Sequence, residues 1–202
     1  SLHDALPICG GCNGCSRCCH GMGNSIILDP YDVYRMTTGM GKSMQELLAA
    51  SVELNVVDGV ILPNLKMQGT KEACAYLDEE GRCSIHPYRP GICRLFPLGR
   101  YYENGGFSYF LQTGECAKEN RSKIKVSKWI DTPDLTRNQQ FTLQWHDLLH
   151  AMEERLTGED EGKQQEENLL LLRLFYLLPY KGTTDFYSQF MERMEYWNEQ
   201  IR

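Results

Sequence analysis

The stretch CGGCNGCSRCCH, residues 9–20, places five of the chain's nine cysteines within eleven positions. Thiolates repel one another, so such a crowd is stable at neutral pH only if a cation joins the sulfurs or a strongly positive setting offsets their charge. Disulfides are the poorer explanation. Nine is odd, and the adjacent Cys18 and Cys19 could pair with each other only under strain. Disulfide frameworks also serve mainly small secreted chains, whereas 202 residues at 42% hydrophobic content can bury a core. Metal is therefore the expected partner.

Two registers fit the stretch. Cys9, Cys12, Cys15 and Cys19 follow C-x2-C-x2-C-x3-C, a spacing that wraps a cubane iron–sulfur cluster, with His20 where the ferredoxin run has proline. Cys12, Cys15, Cys18 and Cys19 follow C-x2-C-x2-C-C and need partners elsewhere. Cys74, Cys83, Cys93 and Cys116 supply them, in CAYLDEEGRCSIHPYRPGICRLFPLGRYY (74–102) and the later GEC (114–116). A buried free cysteine is usually just a small apolar residue, but burial gives no reason for repeated two-residue spacing among glycine and polar neighbours. Eight thiolates would close two tetrahedral zinc sites, and three thiols at two-residue intervals also suit a cluster with several iron corners. An iron–sulfur cluster or zinc is the expected cofactor, iron being preferred.

The composition around the later cysteines agrees. From Gly81 to Tyr102 there is no acidic residue, while Arg82, Arg89, Arg94 and Arg100 are interleaved with Cys83 and Cys93. Guanidinium groups there would lower thiol pKa values and offset the negative charge of a thiolate–metal centre, so all four are expected around it. His20 and His86 stand beside cysteines as additional candidate ligands.

On these residues the chain resembles the CxxCxxCC family of zinc- or iron-chelating proteins, the YkgJ-like cysteine-cluster family. The resemblance rests on CNGCSRCC (12–19), CAYLDEEGRCSIHPYRPGICRLFP (74–97) and GEC, and includes ILDPYDVYRMTTGMGKSMQELL (27–48). It implies a metal-chelating module of unassigned role, also found within bacterial flagellin lysine-N-methylases. It implies ligation by Cys12, Cys15, Cys18, Cys19, Cys74, Cys83, Cys93 and Cys116, with Arg89 and Pro90 as the motif's RP pair. Cys9 falls outside the pattern, which favours the second register.

The fold class expected is α+β: a small irregular metal-stabilised domain of short strands and helices over 9–118, then a helical region over 119–202 packed on it. Residues 1–8 are expected to be a disordered or non-native tail. Ser25 to Leu28 reads as a strand. Asp29 and Pro30 then open a helix, and Ser43 with Glu46 forms a capping box for another. VELNVVDGVILPNLKM (52–67) predicts two strands about Asp58–Gly59, and YYENGGFSYFLQ (101–112) a hairpin turning at Asn104–Gly105–Gly106. KENRSKIKVSK (118–128) reads as a solvated basic connector. Thr136 and Gln139 suggest a capping box for a helix burying Phe141, Trp145, Leu148, Leu149, Met152 and Leu156. GEDEG (158–162) breaks it. Gln165–Leu178 reads as a central helix ended by Pro179, and Phe186, Phe190, Met194, Trp197 and Ile201 form the stripe of a last one.

Several functions are excluded or demoted. The net charge of −6 carries no basic domain that would grip nucleic acid. The longest apolar run, Leu169–Leu178, is ten residues with Arg173 inside it, too short to cross a bilayer. No secretory signal pattern opens the chain, so a cytoplasmic location is expected. GMGKS (39–43) lacks the first glycine of a phosphate-binding loop, and GMGNSI (21–26) lacks the third glycine of a dinucleotide fingerprint. HDLLH (146–150) has Asp147 where zinc proteases need glutamate, and its histidines fall off the apolar face, so they read as surface residues. Metal ions are thus the expected partners, in a structural, electron-transferring or metal-handling role. Two rivals stand beside this reading: an iron–sulfur-dependent protein lysine methylase, drawn from the resemblance alone, and a zinc-stapled interaction module docking a protein partner through its helical region.

Overall fold

A computed structural model describes residues 1, 4–9, 15–115 and 121–201. The chain is α+β, with four separate two-stranded antiparallel sheets among the described residues and a helical carboxyl-terminal region.

Strand β1 (Ala5–Cys9) is followed by a 3-10 turn at Arg17–Cys19, helix α1 (Pro30–Met40) and helix α2 (Met44–Ala50). Both helices start where side chains satisfy their free amides. Asp29 accepts from the Asp32 amide while the Asp32 carboxylate accepts from the Asp29 amide, and Ser43 and Glu46 exchange the same pair of bonds. Gly41, at φ +64°, ends α1 in the left-handed conformation that suits glycine. Residues 25–28 do not form the expected strand. They make only a two-bond bridge to the neighbouring hairpin, Leu28 N–H to Pro63 C=O and Leu65 N–H to Ile26 C=O. Pro63 has no N–H to extend that ladder, and α1 begins at Pro30.

Strands β2 (Val52–Val57) and β3 (Val60–Leu65) pair about Asp58–Gly59, both with positive φ, as the hairpin turn requires. β4 (Met67–Gln68) and β5 (Ala73–Cys74) form a shorter pair. A 3-10 turn at His86–Tyr88 leads to helix α3 (Gly91–Leu95). β6 (Leu98–Glu103) and β7 (Gly106–Leu111) then turn at Asn104–Gly105, again both at positive φ.

The basic stretch after residue 118 departs from expectation where it is described. Arg121–Lys125 is strand β8, paired with β1, and Val126–Ile130 is helix α4. Lys123 and Lys125 face solvent, whereas Ile124 is half-buried and Val126 fully buried. Period-two alternation thus makes a strand of a segment whose charge suggests a linker. The partner strand comes from the residues set aside as a tail. Ile8 is fully buried in a satellite core with Leu95, Leu98, Val126 and Ile130.

Helices α5 (Leu135–Leu156), α6 (Glu161–Leu172) and α7 (Phe186–Gln200) complete the chain. The α5 cap is Asp134, not the expected Thr136, because the Asp134 carboxylate reaches the Arg137 amide and starts the helix earlier. α6 continues into a π-helical turn at Arg173–Leu177. The expected stripes are largely buried and interlock as edge-on aromatic pairs, among them Phe141–Phe190 at 4.8 Å and Trp145–Phe175 at 5.1 Å.

One core joins this helical region to β2, β3, α1 and α2. Polar clips fasten the contact. Buried Asn168 on α6 accepts from the Ile61 amide at 2.6 Å and donates to the Gly59 carbonyl at 3.1 Å, and Tyr176 Oη donates to the Leu28 carbonyl at 2.9 Å. Buried Arg193 donates to the carbonyls of Leu174, Leu178 and Pro179, satisfying the end of the π-helical turn. No helix among the described residues is long and apolar enough to cross a membrane.

Candidate metal centre

Cysteines from four stretches of chain line a single cavity of about 1220 Å³, open to solvent: Cys15, Cys18, Cys19, Cys74, Cys83 and Cys93. All six are free thiols and half-buried. Local pairing explains the convergence. His20 forms a bridge with Ala73, and the Gly21 amide donates to the Glu72 carbonyl at 2.9 Å, which seats the Arg17–Cys19 turn against Cys74. Leu77 bridges to Cys83, and the Ser84 amide donates to the Tyr76 carbonyl, so Cys74 and Cys83 lie on two arms of one small hairpin. Asp78 builds its turn, its carboxylate accepting the amides of Glu80 and Arg82. A β-carbon at Gly81 would lie 3.7 Å from Ser16 Oγ, which brings this turn beside Cys15. Cys93 arrives on α3.

Two of these thiols share a local pattern that spacing alone does not show. The backbone amide of Tyr76 favours the Cys74 thiolate, and that of Ile85 the Cys83 thiolate. Each is a sulfur met by the amide two residues on, an arrangement that favours thiolate and orients it. Burial nonetheless pushes both thiols up, aided by the charges of neighbouring cysteines. Burial does the same at Cys93, with Asp32, Cys74, Cys18 and Cys83 adding to it. The Cys19 thiol donates to Cys18, which pulls Cys18 down to about 6 and drives Cys19 up. Arg89 also lowers Cys18. Cys18 is thus favoured as thiolate while burial and neighbouring charge disfavour ionisation of Cys19, Cys74, Cys83 and Cys93, and a cation among them would favour the thiolate of each. The donor set fits a thiophilic metal.

The remaining expectations divide. Cys12 and Cys116 lie outside the described residues, as does the side chain of Cys9. Among the described residues no group of three Cys, His, Asp or Glu side chains is disposed to hold an ion as it stands. His20 and His86 both line the cavity, and burial together with Arg89 lowers the His86 pKa. Of the four arginines expected around the centre, Arg82 and Arg89 line the cavity. Arg82 is exposed and pairs with Asp78 and Glu80. Arg94 is instead buried, donating to the Arg89 carbonyl at 3.2 Å, and Arg100 lies 5.4 Å from the Phe107 ring centroid. Sequence order interleaves these arginines with the cysteines, but α3 and β6 turn them to another side.

The cavity has further walls that sequence reasoning missed. Arg17 and Lys71 add positive charge, and Ile92, Phe96 and Trp129 add apolar surface. Trp129 could not be found from the cysteine pattern, since α4 brings it in through the satellite core, its indole N–H donating to the Leu95 and Phe96 carbonyls. His146 stacks on Tyr102 with ring centroids 3.8 Å apart, and His150 is exposed beside Glu153 and Glu154, so neither lies on the cavity.

Fold and site together define a cysteine-lined cavity on a small α+β framework. Residues 11–142 match the sequence model of the CxxCxxCC family, described as "Putative zinc- or iron-chelating domain", and the chain belongs to that family. Neither the curated proteins nor the solved structures contain a match to it.

Proposed function

We propose that this protein holds zinc or iron through thiolates, with Cys15, Cys18, Cys19, Cys74, Cys83 and Cys93 as ligands and Cys12 and Cys116 completing the set. The observation that carries the reading is the convergence of six cysteines from four separate stretches on one cavity. The amides of Tyr76 and Ile85 and the charge of Arg89 favour the thiolate forms and so partly offset the burial that opposes them. Bound there, zinc would supply a cross-link or Lewis acidity, and an iron–sulfur cluster one-electron chemistry. An opening to solvent suits metal that is exchanged or that meets another molecule better than a sealed structural staple does. Free thiols in this number suit a reducing compartment, so the cytoplasm is the proposed location.

Anaerobic purification followed by metal and acid-labile sulfide analysis tests this directly. Broad visible absorption with sulfide identifies a cluster, and colourless protein with stoichiometric zinc identifies zinc. Protein that retains neither, and takes up neither on reconstitution, rules the reading out.

A further inference from the structure

Helix α1 carries no cysteine, yet one of its faces grips the segment that delivers Cys93. Asp32, Arg35 and Gly39 recur at spacings of three and four residues and so share a side of the helix. All three meet residues 87–91. The Asp32 carboxylate, on a residue only 3% exposed, accepts the Gly91 amide at 2.6 Å. Arg35 donates to the Pro87 carbonyl. Gly39 lies under the Tyr88 ring so closely that a β-carbon there would fall 2.3 Å from Tyr88 Cδ1. Glycine inside a helix is less stable than alanine, and this close approach is the reason one stands here.

Asp32 is doubly committed. Its second oxygen accepts the Asp29 amide at 3.2 Å, so one buried carboxylate both starts α1 and fixes the amide two residues before Cys93. The buried Arg94, whose guanidinium lies on the α1 side of α3 beside Asp32 and 5.9 Å from the Tyr31 ring centroid, donates to the Arg89 carbonyl. The loop is therefore held against α1, and Arg94 ties it to itself on that same side.

We propose that α1 is a positioning bracket for the metal centre, with Asp32, Arg35 and Gly39 setting where Cys93 presents its sulfur. The proposal rests on the metal-chelating reading, since Cys93 matters here as a ligand. None of the three bracket residues lines the cysteine cavity, so their bonds reach Cys93 through the 87–91 segment; the Asp32 charge also acts on the Cys93 thiol, so Gly39→Ala and Arg35→Met carry the positioning test.

The test uses Asp32→Asn, Gly39→Ala and Arg35→Met in the full chain, with Arg35→Lys as the conservative control. Asparagine keeps the shape of Asp32 but offers one acceptor to two amides, and alanine at 39 must displace the Tyr88 ring. Two quantities are measured: metal affinity by chelator competition, and the maleimide-labelling rate of each cysteine in metal-free protein, mapped by mass spectrometry. Each disruptive variant should weaken metal binding about tenfold, as loss of an outer contact to a metal ligand does. Labelling of Cys93 should rise by a similar factor of about ten through local opening, while Cys74 labels as in the parent and Arg35→Lys stays near the parent value. Folded variants that label Cys93 at the parent rate overturn the bracket. If Asp32→Asn fails to fold, Gly39→Ala and Arg35→Met decide. If the parent protein binds no metal, the chelation reading falls, and the labelling ratio still decides whether α1 holds Cys93.

Discussion

The cysteine-bearing region and the carboxyl-terminal helices are stabilised by different means. In the first, no sheet among the described residues has more than two strands, and caps, single bridges and side-chain-to-amide bonds help fix the segments. In the second, large rings interlock around fully buried Phe175 and Phe190. A two-stranded hairpin is marginal alone, whereas a face of aromatic side chains stabilises a helix by area removed from water. Both regions contribute to the burial, since Leu28, Met36, Leu47, Val52 and Leu65 lie in one core with Phe141, Phe175 and Phe190, and the cysteine loops are mounted on that shared core. Cys74, Cys83 and Cys93 pack against that core and stay half-buried at the cavity wall.

That contrast can be broken or sharpened by experiment. The largest effect should follow from Phe175→Ala, which empties space beside Trp145, Phe190 and Trp197 and should cost about 3–5 kcal/mol by denaturant unfolding. Both regions should unfold together, since they share one core. A helical region that melts while hairpin amides stay protected from hydrogen exchange would separate the two.

Cys83→Ser should act oppositely. It should lower metal affinity beyond the roughly 10- to 100-fold that loss of an outer contact produces, while metal-free stability moves by less than about 1 kcal/mol. Chelator competition and chemical denaturation measure the two halves of that statement. A large loss in the metal-free protein would mean that Cys83 serves packing and not chelation.

A smaller effect is expected from pH. Burial and the neighbouring Asp32 push the Asp29 carboxyl up to about 8, with Arg100 and Arg94 opposing. Burial also raises Asp32 itself, so the two titrate as a pair. An acid whose folded pKa is raised contributes stability that is complete below its ordinary value near 3.8 and is lost as pH climbs through about 8. Unfolding free energy should fall between pH 5 and pH 8.5, and Asp29→Asn, which keeps the cap, should flatten that slope. Equal slopes in parent and variant would assign the dependence to other groups. The smallest change belongs to Val56→Thr, at a side chain 66% exposed on β2, where the unfolding midpoint should shift by no more than about 0.5 kcal/mol.

Much of this was legible from the chain. Ser43 with Glu46, Asp58–Gly59 and Asn104–Gly105 each act through neighbours in sequence, so their spacing announced them. The helical stripe from Phe141 to Leu156 was equally plain, since a 3.6-residue period needs no partner to be recognised. The errors share a cause. β8 was hidden because its pairing partner lies at the other end of the chain, and residues 25–28 fell short of a strand because of Pro63, a residue well outside the window. Asp134 displaced Thr136 as a cap because two adjacent candidates compete for the same amides and only geometry selects between them.

The sequence by itself determined that thiols would be crowded, that a cation suits them, and where the local turns and helix starts fall, since like-charge repulsion and capping act over a few residues. Only the tertiary structure decided that cysteines from four stretches face one cavity, that Arg94 and Arg100 turn away from it, and that a helix without cysteines holds Cys93. Those depend on which surfaces meet when the shared core forms, and a linear spacing carries no direction for a side chain.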